Sequence, residues 1–125
     1  MRKRAISTPS APTPGGAYSQ AIAFDNLVFL SGQGPFTSDG KKVEGEFVDA
    51  ARQTFENLAA VAEAAGGSLD DAVRVGVFLT DMSNFPVMNE VYGSFFSDPL
   101  PARTTVQSGL PGFEIEVDAI LALDA

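Results

Sequence analysis

The last fifty residues of the chain hold one basic side chain, Arg103, and seven acidic ones: Asp81, Glu90, Asp98, Glu114, Glu116, Asp118 and Asp124. A lone arginine in so acidic a stretch has two readings. It is either half of a structural ion pair or a fork that grips the carboxylate of a small ligand. Strand periodicity puts Arg103, Thr105 and Gln107 on one face. The segment FEIEVDA alternates strictly, so Glu114, Glu116 and Asp118 share one face, with Phe113, Ile115, Val117 and Ala119 on the other. If Leu110-Pro111 is the centre of a two-residue turn between Gly109 and Gly112, these strands form a hairpin. Thr105 then faces Glu116, Arg103 faces Asp118, and Glu116 lies diagonal to Arg103. A slip of one residue would separate them. Together, a guanidinium and a carboxylate on one face bind an anion and move a proton. Taken singly, each of the three acids reads as part of a solvated strand face.

Little else in the chain offers chemistry. There is no His, Cys or Trp among the 125 residues. A Ser-His-Asp triad, a thiol nucleophile and the usual zinc and iron–sulfur ligand sets are therefore excluded. Acid–base work falls to carboxylates, Tyr or Lys. The run LSGQGP (residues 30–35) ends an apolar segment in a glycine-rich turn, where a ligand can meet backbone closely. Tyr18 follows Gly15-Gly16 and is placed either to cover a small planar ligand or to pack. Asn89, Tyr92, Phe85, Phe95 and Phe96 read as surface or packing residues of a helix. No phosphate-binding glycine motif is present.

These residues must be held by a small scaffold. The length fits a single domain, residues 1–125, and 45% apolar against 19% charged residues is a globular composition. Residues 9–16, PSAPTPGG, read as a loop. Asp25-Asn26 divides two apolar runs into a hairpin. Residues 47–65 carry Val48, Ala51, Phe55, Leu58, Ala59 and Ala62 on one helical stripe, stopped by Gly66-Gly67. Residues 73–79 alternate as a strand, 84–96 form a second helix with Pro86 in its first turn, and 102–108 and 113–123 are strands. The predicted order is β-β-β-α-β-α-β-β when Ala5–Thr8 counts as the first strand. Two helices cover one sheet face, and a second subunit is the natural cover for the other.

Eight Lys and Arg against sixteen Asp and Glu give a formal charge of −8, and three of the eight are Arg2, Lys3 and Arg4. Such a surface repels a phosphate backbone, so nucleic acid is not an expected partner. No run approaches the ~20 apolar residues of a membrane span, and MRKRAISTPSAPTP does not resemble a secretory signal, which leaves the cytoplasm as the expected compartment.

Six segments in order, STPSAP, GAYSQA, LSGQ, ARQTFENLAAVAEAAG, VRVGVFLTDMSNFPVMNEVYGSFF and PARTTV…IEVDAI, resemble the YjgF (Rid) family of reactive-intermediate deaminases. The resemblance covers nearly the whole chain. It implies an α+β fold, a mixed β-sheet with two helices on one face, chorismate mutase-like, three copies forming a homotrimer with a barrel-like core and inter-subunit clefts. It implies hydrolysis of enamines and imines such as 2-iminopropanoate and 2-iminobutanoate to 2-oxo acids and ammonia, without metal or cofactor. By the same resemblance Arg103 binds the substrate carboxylate and Glu116 positions the attacking water. Tyr18, Ser31, Gly32, Asn89 and Thr105 contact the substrate. Three positions depart from the pattern: Ala17 for Pro, Thr105 for a frequent Cys, and Gly34 for a bulkier apolar residue, which predicts a wider pocket there. A non-catalytic trimeric binder of small carboxylates, or a chaperone-like protein, is the alternative. An endoribonuclease is disfavoured by the acidic charge.

Overall fold

The structure, a computed structural model, describes Arg2–Asp124; Met1 and Ala125 of the expected domain lie outside the described residues. Six strands and two helices follow in the order β1 (Arg4–Ile6), β2 (Ala21–Phe24), β3 (Leu27–Gln33), α1 (Phe47–Ala64), β4 (Ala72–Leu79), α2 (Phe85–Phe95), β5 (Ala102–Gln107) and β6 (Ile115–Ala122). The expected elements are all present, within a few residues of their predicted ends. Asp25 takes a left-handed φ of 58° in the tight turn where Phe24 pairs with Leu27. An aspartate tolerates that conformation better than most side chains.

The sheet order is β1-β2-β3-β6-β4-β5, with β4 and β5 parallel and every other pair antiparallel. The predicted β5–β6 hairpin is therefore absent. β4 lies between the two strands, pairing Val75 with Arg103 on one side and with Ala119 on the other. The sequence of β4, AVRVGVFL, is largely apolar and belongs in the sheet interior. That of β5, ARTTVQ, is polar and suits an edge. A parallel pair needs a crossover, and α2 provides it between β4 and β5.

Both helices pack on one face. Phe55, Leu58 and Val61 of α1 and Met88 of α2 are fully buried against Val75, Val77, Leu79, Ile115, Val117 and Leu121. Pairing partners share a face, so Arg103, opposite the buried Val75, faces the helices. Glu116 pairs with Phe78, and Asp118 with Gly76, on the other face. Neither helix covers that side. Phe24, Phe29 and Val106 are 43%, 42% and 39% exposed, an apolar surface of the kind a second chain covers. Among the described residues, no helix is long and apolar enough to cross a membrane.

Two buried amides fasten the long loops. Gln20 accepts from the Thr8 N–H at 2.7 Å, and its Nε2 donates to the carbonyls of Thr8 at 3.1 Å and Pro12 at 2.9 Å. Asn57 on α1 donates from Nδ2 to the carbonyls of Gly34 at 3.1 Å and Phe36 at 2.7 Å. An unpaired buried carbonyl costs about 1–3 kcal/mol. We expect Asn57→Ala to lower the unfolding free energy by about 2 kcal/mol or more, measured by urea denaturation; a loss below about 0.5 kcal/mol would show that the loop does not depend on it.

Candidate active site

The site residues named from the sequence fall into two groups on opposite sides of the sheet. The first group surrounds Glu116. A cavity of about 440 Å³ is lined by Pro12, Pro14, Tyr18, Gly32, Gly34, Phe36, Phe113 and Glu116, among others. β3 supplies its floor through a bulge. Leu30 pairs with Ala119 and Gln33 with Val117, so three residues of β3 advance against two of β6. Bulges of this kind re-aim backbone beside functional sites. Ser31 and Gly32 sit in the bulge. At Gly32 a Cβ would lie 2.7 Å from the Glu116 carboxyl carbon, so only glycine lets that side chain cross the strand. The Ser31 hydroxyl donates to the Ser19 carbonyl at 2.7 Å, so it braces the segment that carries Tyr18 and does not itself line the cavity. Tyr18 is 53% exposed at the rim, and its hydroxyl accepts from the Gly15 N–H at 3.2 Å.

Burial holds the Glu116 carboxyl above its ordinary 4.5, and the neighbouring Asp118 pushes in the same direction. Burial also raises Asp118, opposed by the Gly76 backbone N–H and by Arg74. Glu116 is thus a carboxyl of raised proton affinity at the edge of a largely apolar cavity.

The second group surrounds Arg103. Its guanidinium carbon stands 4.5 Å from the centre of the Tyr92 ring and 5.5 Å from that of Phe85. Its Nη1 donates to Asn89 Oδ1 at 2.8 Å. Among the described residues no carboxylate lies within ion-pair distance of it. The structural ion pair weighed from the sequence is therefore not present. Arg103 is held by neutral groups and keeps its charge unanswered, beside a recess of about 370 Å³ bounded by Asn89, Tyr92, Gly93, Leu100 and Pro101. Thr105 shares the helix-facing side with Arg103 but lines neither cavity, and its Oγ1 has no hydrogen-bond partner among the described residues.

Four expectations are corrected by this geometry. Arg103 and Glu116 do not share a face, because β4 separates their strands. Asp118 does not pair with Arg103. The space expected at Gly34 is filled: a Cβ there would lie 3.1 Å from the Phe36 ring and 3.3 Å from Phe113. Phe113, expected on the face opposite Glu116, lines the cavity with it instead, because β6 begins only at Ile115 and the strand alternation does not reach Phe113. Other residues that matter were read only as packing or not at all. Phe36 and Phe113 wall the cavity, and Tyr92, read as a packing residue, is the platform under Arg103. Their only signal was aromatic side chains at both edges of a glycine-rich cleft and one turn along a helix.

A family model described as Endoribonuclease L-PSP matches residues 8–123. The chain belongs to that family. A 2-iminobutanoate/2-iminopropanoate deaminase from Dermatophagoides farinae is 42% identical over 125 residues, covering 98% of each chain. The crystal structure of RidA from an Antarctic Psychrobacter has a TM-score of 0.91 at 43% identity, covering 96% of this chain and 99% of that one. Escherichia coli TdcF, solved with bound serine, has a TM-score of 0.91 at 34% identity, covering 97% and 99%. The α+β fold is thus the L-PSP fold throughout.

The Arg103 platform makes a prediction about stability. Tyr92 is 5% exposed, stacks on Phe96 at 4.3 Å, and its hydroxyl has no hydrogen-bond partner among the described residues. Removing an unpaired buried hydroxyl while keeping the ring relieves a desolvation penalty. We expect Tyr92→Phe to leave stability unchanged or raise it by up to about 1 kcal/mol in chemical denaturation. A loss of more than about 1 kcal/mol would mean that the hydroxyl is bonded.

Proposed function

We propose that this L-PSP family member is a cytoplasmic, cofactor-independent homotrimeric hydrolase that converts small 2-imino acids to 2-oxo acids and ammonia. The observation that carries the reading is Arg103: the one cation of the acidic last fifty residues, fixed by Asn89 and two aromatic rings, with no carboxylate among the described residues to neutralise it. A fork held in this way suits a substrate carboxylate. The name of the Dermatophagoides relative supports the imine class.

In one chain the clamp and the proton carrier are on opposite faces. The reading therefore joins the Arg103 recess of one copy to the Glu116 cavity of the next, with the exposed apolar face buried between them. There Glu116 takes a proton from a water that attacks the imine carbon. The resulting carbinolamine nitrogen is protonated, its C–N bond breaks, and ammonia leaves as the carbonyl forms. Orientation and one proton-transfer group suffice for a reactive imine. A non-catalytic binder of small carboxylates is the second reading, favoured by the serine bound in TdcF. Ribonuclease action, which the family's description names, is disfavoured by the charge of −8.

The test is suppression of semicarbazide trapping of enzymatically generated 2-iminopropanoate. Wild-type protein should suppress trapping, and Arg103→Ala and Glu116→Ala should each lose about 100-fold or more. When the two inactive variants are co-refolded as a mixture, a fraction of the activity should return, because some clefts then combine an intact Arg103 with an intact Glu116. Mixtures as inactive as their components would place the whole site in one chain. Full trapping by a well-folded wild type would leave the binder.

The pH dependence follows from Glu116. The attacking water needs its carboxylate form, whose proton affinity is raised above the ordinary value of 4.5. Activity is therefore full at high pH and falls as the pH drops through the raised value. In a kcat/KM–pH profile the acid limb should lie above 4.5 and disappear in Glu116→Gln. An acid limb at or below the ordinary value would remove Glu116 from this role.

A further inference from the structure

The cavity beside Glu116 is built for more than the proposed reaction requires. In the single chain its volume is about 440 Å³, in the range that holds whole organic ligands, before a second copy closes it. Glu116 is the one ionisable group on its wall apart from the exposed Tyr18 phenol. Opposite the glycine floor stand Phe36 and Phe113, edge to face, with ring centres 5.3 Å apart at 77°. They close over Gly34, where a Cβ would lie 3.1 Å from the Phe36 ring and 3.3 Å from Phe113, so a larger residue would push the rings aside. The wall is fixed, because Asn57 holds the carbonyls of Gly34 and Phe36 from below. Gly34 is two residues from Gly32, which lies under the Glu116 carboxyl, and both glycines line the one cavity with Phe36, Phe113 and Glu116. A side chain that extends from a carbon beside Glu116 along this floor meets the two rings.

Resting on the deaminase reading, we propose that the Phe36–Phe113 wall seats the side chain of the substrate, and that the preferred substrates are 2-imino acids carrying an aromatic ring. A third ring extends the edge-to-face arrangement already present. A methyl group leaves both phenyl walls wet. The same wall explains how Gly34 acts on specificity: it does not widen the pocket but admits the two rings.

The experiment compares kcat/KM for imines made by an amino-acid oxidase from alanine, leucine and phenylalanine, each followed by semicarbazide competition. The phenylalanine-derived imine should exceed the alanine-derived one by about tenfold or more. Phe113→Ala and Phe36→Ala should each reduce that ratio about tenfold, mainly through KM for the aromatic substrate, and Phe113→Leu, which keeps most of the bulk, should reduce it less. Turnover of the alanine-derived imine with a ratio at or below one overturns the substrate preference and leaves the deaminase standing. A leucine-derived imine equal to the aromatic one also overturns it, since volume alone would then decide. No turnover of any imine overturns both readings.

Discussion

The backbone ladder that seats β4 between β6 and β5 is the constraint on which the rest of the molecule depends. A central strand must be apolar on at least one face and bonded on both edges, and AVRVGVFL satisfies this with Val75, Val77 and Leu79 fully buried. Once β4 is central and β5 runs parallel to it, the connection between them has to cross one face of the sheet. That crossover is α2. It brings Asn89, Tyr92 and Phe85 over the strand that carries Arg103. The arginine platform is thus a product of topology: an antiparallel β4–β5 pair would need no helix there and would leave the guanidinium without its rings.

The same ladder separates the two charged groups. β6 presents Glu116 and Asp118 to the face that no helix covers, among Phe29, Phe78 and Val106. Burial, and then repulsion by Asp118, favour the protonated carboxyl of Glu116, so it is tuned by its place on an apolar sheet. A second chain laid on this face would withdraw more water and extend the same effect.

Much of this was legible in the sequence. The alternation in IEVDA correctly put Glu116 and Asp118 on one face and the core residues on the other, but it did not extend to Phe113, which precedes the strand. Asp25-Asn26 correctly marked a tight hairpin, and the stripe through Phe55 and Leu58 marked α1. What failed was the pairing of β5 with β6. A short glycine- and proline-rich connection signals a hairpin locally, while the insertion of β4 is decided by the relative burial of strands far apart in the chain. The contrast between VRVGVFL and ARTTVQ carried that information. Asn57 and Gln20 were missed for a related reason. A polar residue on an apolar stripe is legible as buried, but its loop partners, 21 and 12 residues away, are set by tertiary structure.

The way Arg103 is held has a consequence for how anions reach it. Most surface arginines are neutralised nearby, so their pull on a ligand is weak and fades with salt. Here the neighbours are neutral and the charge persists, but it sits on a body with a net charge of −8. At long range an approaching carboxylate meets repulsion, and only within the last few ångströms does it meet the guanidinium. Dissolved ions screen the long-range part first, since the Debye length at physiological ionic strength is about 8 Å. Moderate salt therefore speeds the encounter of an anion with this protein, the reverse of the usual electrostatically steered association.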